Sequence, residues 1–226
     1  TGTSSGIGAA YADRLAKKGY NLILVARRRE RLKSLSARLR NETGIAAEVL
    51  AADLSNPIDL RRVEARISSE KNLAMLVNNA GLGDIAVFAE ADRDMVEQMI
   101  AVNVLALTRL THAALPGMIE RGGGTIINVS SGLAFNCMKG AAVYGATKAY
   151  VAHFTQVLHE EVHAQGIRLQ ALIPGLTRTN LGGAEESGFF DRFPPEFVMS
   201  PQDVVDASLA GLELGELVCI PRLEDP

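Results

Sequence analysis

The sequence predicts an α/β fold in which a doubly wound parallel sheet is covered by helices on both faces, giving three αβα layers. Short apolar runs alternate with amphipathic stretches of helical periodicity along all 226 residues. The apolar runs are nearly continuous, as in strands that are buried on both faces. A glycine-rich turn at residues 1–8 leads directly into the first helical pattern. Together these features are typical of repeated strand–helix–strand units.

Most of the predicted helices have a characteristic start or stop signal. Gly19 and Gly166 end two of the helices, because glycine readily adopts the left-handed conformation after a helix end. Ser200 followed by Pro201 begins the last helix as a cap and a first-turn proline. The predicted helices cover residues 9–18, 28–42, 57–69, 92–120, 143–165 and 201–213. The predicted strands cover residues 20–26, 45–51, 73–77, 125–129, 167–173 and 217–220.

The chain is predicted to form one domain over residues 1–226, because no linker, repeat or low-complexity tract divides it. A flexible substrate loop is expected around 180–200, where glycine, proline, charges and phenylalanines are mixed. We expect its phenylalanines to cover a pocket rather than join the core. The turn at 2–8 needs a strand before it, so we also expect that the first strand precedes Thr1 and is missing from this sequence.

Composition and charge argue against several classes of function. Lysine and arginine total 23 against 26 aspartates and glutamates, so nothing draws the chain generally to nucleic acid or to an anionic membrane. No uninterrupted apolar run of about 18 residues occurs, so no membrane span is expected. The two cysteines, Cys137 and Cys219, form no disulfide framework. We therefore expect a cytoplasmic protein with no nucleic-acid or membrane partner.

The turn at residues 1–8, T-G-T-S-S-G-I-G, is a candidate nucleotide site of Rossmann type. Glycines let the backbone turn sharply and approach a pyrophosphate, whose charge is attracted by the free N–H groups of the next helix. The spacing differs from the commoner G-x-G-x-x-G, so an ordinary glycine loop is the alternative. The candidate cofactor-binding residues of the turn are Gly2, Thr3, Ser4, Ser5, Gly6, Ile7 and Gly8.

Arginines at the end of the predicted strand 20–26 favour NADP(H) over NAD(H). In a dinucleotide fold, an acidic residue about 20 positions after the turn binds the ribose 2′-hydroxyl, whereas an arginine accommodates a 2′-phosphate. Arg27 stands at this position, and Arg28 follows it. We assign Arg27, with Arg28 beside it, to the 2′-phosphate. The alternative is a solvated basic start of the helix 28–42.

Tyr144 and Lys148 are four positions apart in the predicted helix 143–165 and therefore share one face. An ammonium beside a phenol favours the phenolate, so we expect Lys148 to lower the pKa of Tyr144 from its usual value near 10. Tyr144 would then exchange a proton with a substrate oxygen. Such pairs are common on helices, but here Ser130 and Ser131 close a predicted strand at the sheet edge where ligands bind.

In their order along the chain, these motifs resemble those of the short-chain dehydrogenase/reductase family. The matching elements are T-G-x-x-x-G-I-G at 1–8, Asp53, N-N-A-G at 78–81, Asn103, I-N-V-S-S at 127–131, Y-x-x-x-K at 144–148, and P-G at 174–175 followed by Thr179. The resemblance covers essentially the whole chain and is greatest to general, NADP-preferring reductases of bacterial type. It implies a homodimer or homotetramer built on the helices 92–120 and 143–165.

The resemblance also implies roles for individual residues. Tyr144 would be the general acid/base, Lys148 would hold the nicotinamide ribose, and Ser131 would steady the substrate oxygen. The family's spacing before the tyrosine selects Ser131 over Ser130. Asn103 would link Lys148 to solvent through a water. The other implied cofactor contacts, to adenine, its ribose and the nicotinamide carboxamide, are Asp53, Leu54, Asn79, Ala80, Gly81, Pro174, Gly175, Thr177 and Thr179.

We therefore expect an NADP(H)-dependent oxidoreductase that interconverts a carbonyl and an alcohol on a small to medium, apolar substrate. A hydride would pass between the cofactor and the carbonyl carbon, while Tyr144 gives or takes the proton of the oxygen. A non-catalytic NADP-binding regulator on the same fold is the main alternative. The intact serine, tyrosine and lysine argue against it, since a pure binding protein needs no acid/base group.

A zinc hydrolase is a remoter alternative, because H-E-E-V-H, beginning at His159, matches the zinc-protease pattern H-E-x-x-H. His159 and His163 lie on one helix face, and Glu185 or Glu186 would be a third ligand. The longer form of the motif needs a third histidine where Leu169 stands. We therefore interpret the motif as a solvated helix end and expect no metal site.

Overall fold

The computed structural model describes residues 1–183 and 188–222. Its strands are β1 (Leu22–Ala26), β2 (Ala47–Ala51), β3 (Met75–Asn78), β4 (Gly124–Val129), β5 (Ile167–Leu172) and β6 (Val218–Cys219). One parallel sheet has the order β1–β2, and a second has the order β3–β4–β5–β6. Several strands begin one or two residues later than predicted, but each predicted strand is present.

The helices are α1 (Gly6–Lys17), α2 (Arg29–Thr43), α3 (Pro57–Ser69), α4 (Arg93–Ile100), α5 (Leu107–Glu120), α6 (Ala142–Val162) and α7 (Pro201–Leu214). Start and stop signals in the sequence explain several of these bounds. Ser200 caps α7 in a reciprocal hydrogen-bonded arrangement with Asp203, and Gly215 ends the helix in a left-handed conformation. Gly44 ends α2 in the same conformation.

The core lies on both faces of the sheet. Ile126 and Ile127 are neighbours in β4 and both are fully buried, pointing to opposite faces. Ile126 belongs to a cluster with Leu60 of α3 and Leu110 of α5. Ile127 belongs to a cluster with α1 and α7. The predicted doubly covered parallel sheet is confirmed, and the physical reason is that the strands are apolar on both sides.

Residues 1–3 lie between the two sheets and contact both. The amino group of Thr1 donates to the carbonyl oxygen of Val77 in β3 at 2.7 Å. The backbone N–H of Thr3 donates to the carbonyl oxygen of Val25 in β1 at 3.3 Å. The start of the glycine-rich turn is thereby held at the carboxyl ends of these two strands.

The predicted helix 92–120 is helical from Arg93 onward, with Asp92 as its N-cap, and α4 and α5 are joined by a wider π-helical turn, Ala101–Ala106. By length and composition alone, Arg93–Glu120 is apolar enough to cross a membrane, although no uninterrupted apolar run marks it in the sequence. The same properties are found in core helices. In the structure this helix packs against α3, β3 and β4, and Leu110 and Met118 are buried there.

The expected substrate loop around 180–200 contains short 3-10 turns at Leu181–Gly183, Phe189–Arg192 and Pro195–Phe197. Phe190 is buried: its ring meets that of Phe189 at 5.6 Å between centroids and lies under the Arg178 guanidinium. The expected role of the loop's phenylalanines as the cover of a pocket stays a prediction. The flexibility of the loop stays a prediction.

Candidate active site

Ser131, Tyr144 and Lys148 meet at the carboxyl end of β4. Tyr144 and Lys148 occupy the first turns of α6, and the Ser131 hydroxyl lies near that of Tyr144 and lowers its pKa as a hydrogen-bonding neighbour. The Lys148 ammonium lies 5.8 Å from the centroid of the Tyr144 ring. It donates to the carbonyl oxygen of Val129, the last residue of β4, at 2.9 Å. The i, i+4 spacing seen in the sequence therefore places both side chains toward the strand end.

Burial controls the electrostatics of this site. Tyr144 and Lys148 are 8% and 5% exposed. Loss of solvent raises the pKa of Tyr144, and the Ser131 hydroxyl, as a hydrogen-bonding neighbour, opposes this increase only in part. Burial lowers the pKa of Lys148 from 10.5 to about 8. The expected lowering of the tyrosine pKa by Lys148 is therefore wrong for this state of the protein, because desolvation of the phenolate is the dominant effect.

Asn103 lies in the π-helical turn and is 1% exposed. Its side chain forms two hydrogen bonds with the backbone of Leu82, and its amide donates to Thr147 Oγ1 at 3.0 Å. A Cβ atom on Gly81 would lie 3.3 Å from Asn103 Oδ1 and 3.4 Å from Lys148 Nζ. Asn103 and Lys148 thus border the same small space beside Gly81. The proposed water link between them stays a prediction.

The glycine-rich turn is closely packed, and its glycines are sterically required. Gly2 and Gly6 have φ values of 70° and 56°, in the left-handed region that glycine favours. A Cβ atom on Gly8 would collide with the carbonyl oxygen of Gly2, and one on Gly6 would lie 3.0 Å from the Thr179 methyl. Ser5 precedes α1, and among the described residues no side chain caps this helix end. A bare backbone surface with free N–H groups fits a pyrophosphate.

The structure brings Arg28, rather than Arg27, against the glycine-rich turn. The Arg28 guanidinium donates to Ser5 Oγ at 2.9 Å and to Ser4 Oγ at 3.2 Å. Arg27 lies beyond the end of β1 and is exposed. The Arg28 guanidinium and the two serine hydroxyls fit a 2′-phosphate, which an Asp or Glu at this place would repel. The individual role assigned to Arg27 stays a prediction.

The N-N-A-G segment is bound to the start of the chain. Thr1 Oγ1 accepts the backbone N–H groups of Asn79 and Ala80, at 3.1 and 2.9 Å. The Asn79 side chain donates to the Thr1 carbonyl oxygen at 3.0 Å.

The candidate adenine contacts, Asp53 and Leu54, lie after β2. The Asp53 carboxylate accepts hydrogen bonds from the backbone N–H and the hydroxyl of Ser55. Leu54 is 7% exposed.

The segment after β5 connects the two halves of the site. The carbonyl oxygen of Pro174 accepts from Gly132, directly after Ser131, at 3.0 Å. Thr177 Oγ1 donates to the carbonyl oxygen of Gly175 at 3.1 Å. The methyl group of Thr179 lies against Gly6 of the glycine-rich turn. The candidate nicotinamide contacts therefore lie between the serine–tyrosine–lysine group and the turn.

Three residues near the site were missed by the sequence analysis. Thr147 Oγ1 accepts from Asn103 and donates to the carbonyl oxygen of Tyr144 at 2.7 Å. A Cβ atom on Gly83 would lie 3.2 Å from the Leu181 side chain and 3.4 Å from the Tyr144 ring. Gly83 thus lies against both the Tyr144 ring and the Leu181 side chain. Only the position of Thr147 between Tyr144 and Lys148 was visible as a signal in the sequence.

The H-E-E-V-H motif lies at the end of α6. The rings of His159 and His163 are stacked with centroids 4.9 Å apart, and His163 Nδ1 is hydrogen-bonded to the carbonyl oxygen of His159 at 2.9 Å. Within residues 1–183 and 188–222, no group of three or more histidine, cysteine or acidic side chains is arranged to hold a metal. Glu185 and Glu186, the candidate third ligands, lie outside the described residues.

Comparison with known proteins agrees with this geometry. The family model for short chain dehydrogenases matches residues 1–188. The chain is 42% identical to a short-chain dehydrogenase from Sphingobium yanoikuyae solved in complex with NADPH, with a TM-score of 0.93 over 99% of this chain and 87% of that one. It is 38% identical to the bulky-bulky ketone specific alcohol dehydrogenase from Comamonas testosteroni, with a TM-score of 0.90 over 99% of this chain and 85% of that one.

A curated relative, the very-long-chain 3-oxoacyl-CoA reductase of Bos taurus, is 30% identical over 211 residues, which are 91% of this chain and 67% of that protein. The chain spans between 55% and 67% of the length of the first curated relatives that it matches. Since the family model covers most of the chain and the solved relatives share its whole described fold, this protein belongs to the short-chain dehydrogenase/reductase family.

Proposed function

We propose that the protein is an NADP(H)-dependent oxidoreductase that interconverts a carbonyl and an alcohol. The observation that carries this proposal is the Ser131–Tyr144–Lys148 group, buried at the carboxyl end of β4. Segments that follow β3 and β5 border the same place, as ligand sites do in parallel α/β sheets. A protein that only bound the cofactor would have no need for this buried acid/base group.

The cofactor would be held by the glycine-rich turn, by the segments after β2, β3 and β5, and by the arginines after β1. Its nicotinamide would supply or accept the hydride. The side-chain-free backbone of Gly2 and Gly8 fits the pyrophosphate, and Arg27 and Arg28 fit a 2′-phosphate. The Sphingobium relative in complex with NADPH supports the same choice of cofactor.

The protein's own part in the reaction is to orient the substrate oxygen and to move a proton at Tyr144 Oη. The hydroxyls of Ser131 and Tyr144 are neighbours, so both can bind one substrate oxygen. Because burial raises the pKa of Tyr144, its hydroxyl carries its proton at neutral pH and is a donor. This protonation state favours carbonyl reduction. Burial also keeps bulk water away from the transferred proton.

We propose an apolar substrate of small to medium size. Gly83 lies against both the Tyr144 ring and the Leu181 side chain, and exposed apolar side chains follow in the nearby segments, including Ile85 and Phe135. Ile85 packs against Gly140 in the segment that leads into α6. The Comamonas enzyme, which is specific for bulky-bulky ketones, supports a ketone with apolar substituents as the first substrate to try.

We also propose that the protein forms a homo-oligomer in the cytoplasm. An apolar groove of about 420 Å³ lies between α4, the π-helical turn and α6, and Phe88, Ile100 and Val104 contribute to its lining. Leu105 and Val157, on the same pair of helical regions, are 50% and 45% exposed. A second copy of the chain would cover this surface.

The cytoplasmic location is supported by the cysteines. Both are free thiols, which suits a reducing compartment.

The function is tested by Tyr144→Phe, which removes the proton donor and keeps the ring. We expect turnover of a ketone panel with NADPH to fall by at least about 100-fold, while NADPH binding stays nearly unchanged. Tyr150→Phe is the matched control on the same helix, because its exposed hydroxyl binds Thr108 away from the site. If Tyr144→Phe keeps more than about a tenth of the turnover, Tyr144 is not the acid. If the wild type itself turns over no ketone of the panel, a non-catalytic NADP-binding role becomes the better explanation.

A further inference from the structure

Ser130 forms a buried bond with the backbone of a residue in the proposed active site. Its hydroxyl donates to the carbonyl oxygen of Lys148 at 2.7 Å. In the opposite direction, the Lys148 ammonium donates to the carbonyl oxygen of Val129 at 2.9 Å. Two hydrogen bonds of opposite direction therefore join Val129 and Ser130, at the end of β4, to the side chain and the backbone of Lys148.

The surroundings make this connection rigid. Ser130 is 2% exposed, so water does not compete for its hydroxyl. Its backbone N–H donates to the carbonyl oxygen of Leu172 at the end of β5, at 2.7 Å. Val129 and Ser130 thus contact Lys148, and the next residue, Ser131, is a neighbour of Tyr144.

We propose that Ser130 is a positioning residue, which sets the placement of Lys148, and through it that of Tyr144, relative to the end of β4. This inference rests on the proposed function but concerns a residue that does not touch the substrate oxygen. Its hydroxyl fixes the position of α6 at the turn that carries Lys148. Asn128 of β4 also donates to Thr155 Oγ1 of α6 at 3.0 Å, two turns further along the helix, so the Ser130 hydroxyl acts on the turn at Lys148 itself.

The chain contains a matched control for this bond. Ser36 of α2 is 5% exposed, and its hydroxyl donates to the carbonyl oxygen of Ala47 in β2, also at 2.7 Å. Ser36→Ala and Ser130→Ala each remove one buried hydroxyl that joins a helix to a strand backbone. Both are expected to lower Tm by similar amounts. Only Ser130→Ala should change the chemistry of the site.

The first readout is turnover with NADPH and the best ketone of the panel. We expect kcat of Ser130→Ala to fall by roughly 10- to 100-fold, as for small displacements of reacting groups. Ser36→Ala should keep kcat within about twofold of the wild type. Ser130→Cys retains the volume but has only a weak donor, so it should lose kcat in the same way, and it replaces Ser130→Ala if that variant does not fold.

The second readout requires no cofactor: the titration of Lys148, followed by NMR of ¹³Cε-labelled lysine and assigned with Lys148→Arg. The wild-type ammonium should titrate with a pKa of about 8 because it is buried. Among the described residues, the titratable group next to the Lys148 ammonium is Tyr144. The ammonium also lies near Asn103 and the Val129 carbonyl, which are both uncharged. We expect Ser130→Ala to admit solvent and raise this pKa toward 10.5, and Ser36→Ala to leave it unchanged.

The proposal requires both changes, in kcat and in the Lys148 titration. It is overturned if Ser130→Ala behaves like Ser36→Ala in either measurement. If the wild type reduces no carbonyl of the panel, the proposed function fails. In that case the titration of Lys148 in the free protein still decides whether Ser130 positions this side chain.

Discussion

Replacing Lys148 by methionine should stabilise the protein at neutral pH, although it removes a side chain that the proposed reaction needs. Lys148 is 5% exposed, and burial lowers the pKa of its ammonium from 10.5 to about 8. At about 1.4 kcal/mol per pH unit, this difference corresponds to roughly 3 kcal/mol of destabilisation when the group is charged. Methionine has a similar length and carries no charge to desolvate.

Losing the hydrogen bond from the charged Lys148 ammonium to the Val129 carbonyl offsets about 2 kcal/mol of this gain. We therefore expect the free energy of unfolding at pH 7 to increase by about 1 kcal/mol. The sign of the pH dependence follows from the lowered pKa. Below about pH 8, lysine is charged in both states and the full penalty is present. Between pH 8 and 10.5, the unfolded state binds more protons, so wild-type stability rises and the advantage of the variant disappears.

Urea unfolding of the cofactor-free protein at a series of pH values between 7 and 10 measures both effects. Lys71→Met is the control, since Lys71 is exposed and the same substitution there should be nearly neutral at every pH. A Lys148→Met variant that is no more stable than wild type at pH 7, or whose advantage does not change with pH, would refute the reasoning that desolvation governs this site.

Other predictions address the cofactor site and the metal alternative. Arg27→Asp should weaken NADPH binding by more than about tenfold and leave NADH binding little changed, as measured by fluorescence titration; if only Arg28→Ala has this effect, the 2′-phosphate site belongs to Arg28. Gly8→Ala should abolish tight NADPH binding in the same titration because its methyl group collides with the Gly2 backbone, whereas Gly123→Ala, with open space around it, should bind normally. Replacing both histidines of the H-E-E-V-H motif by glutamine should leave turnover intact with and without chelator; stoichiometric zinc that disappears in this variant would contradict the prediction.

The fold and the residue types of the site could be predicted from the sequence because they depend on short-range patterns. Continuous apolar runs determine strands that are buried on both faces, as the opposite burial of Ile126 and Ile127 shows. The spacing of Tyr144 and Lys148 determines that they share one face of α6. The glycines at 2, 6 and 8 mark the turn, since a side chain at any of them would be strained or collide.

Contacts between distant parts of the chain could not be predicted in this way. Arg28, rather than Arg27, faces Ser4 and Ser5 because the path of the backbone after β1 decides which guanidinium turns inward. The spacing before the tyrosine selected Ser131 as the partner of the substrate oxygen, but nothing in the sequence indicated that the Ser130 hydroxyl bonds to the backbone of Lys148.

The pKa of Tyr144 shows most clearly that effects of tertiary packing could not be predicted from the sequence. Its proximity to a lysine was visible in the spacing, and proximity alone predicts a lowered value. The depth of burial, which raises the value instead, is set by how α6 packs on β4 and by the close approach of Gly83 to the ring. The sequence by itself determined which groups the site contains, but only the tertiary structure decided how much water reaches them and therefore which protonation state each one favours.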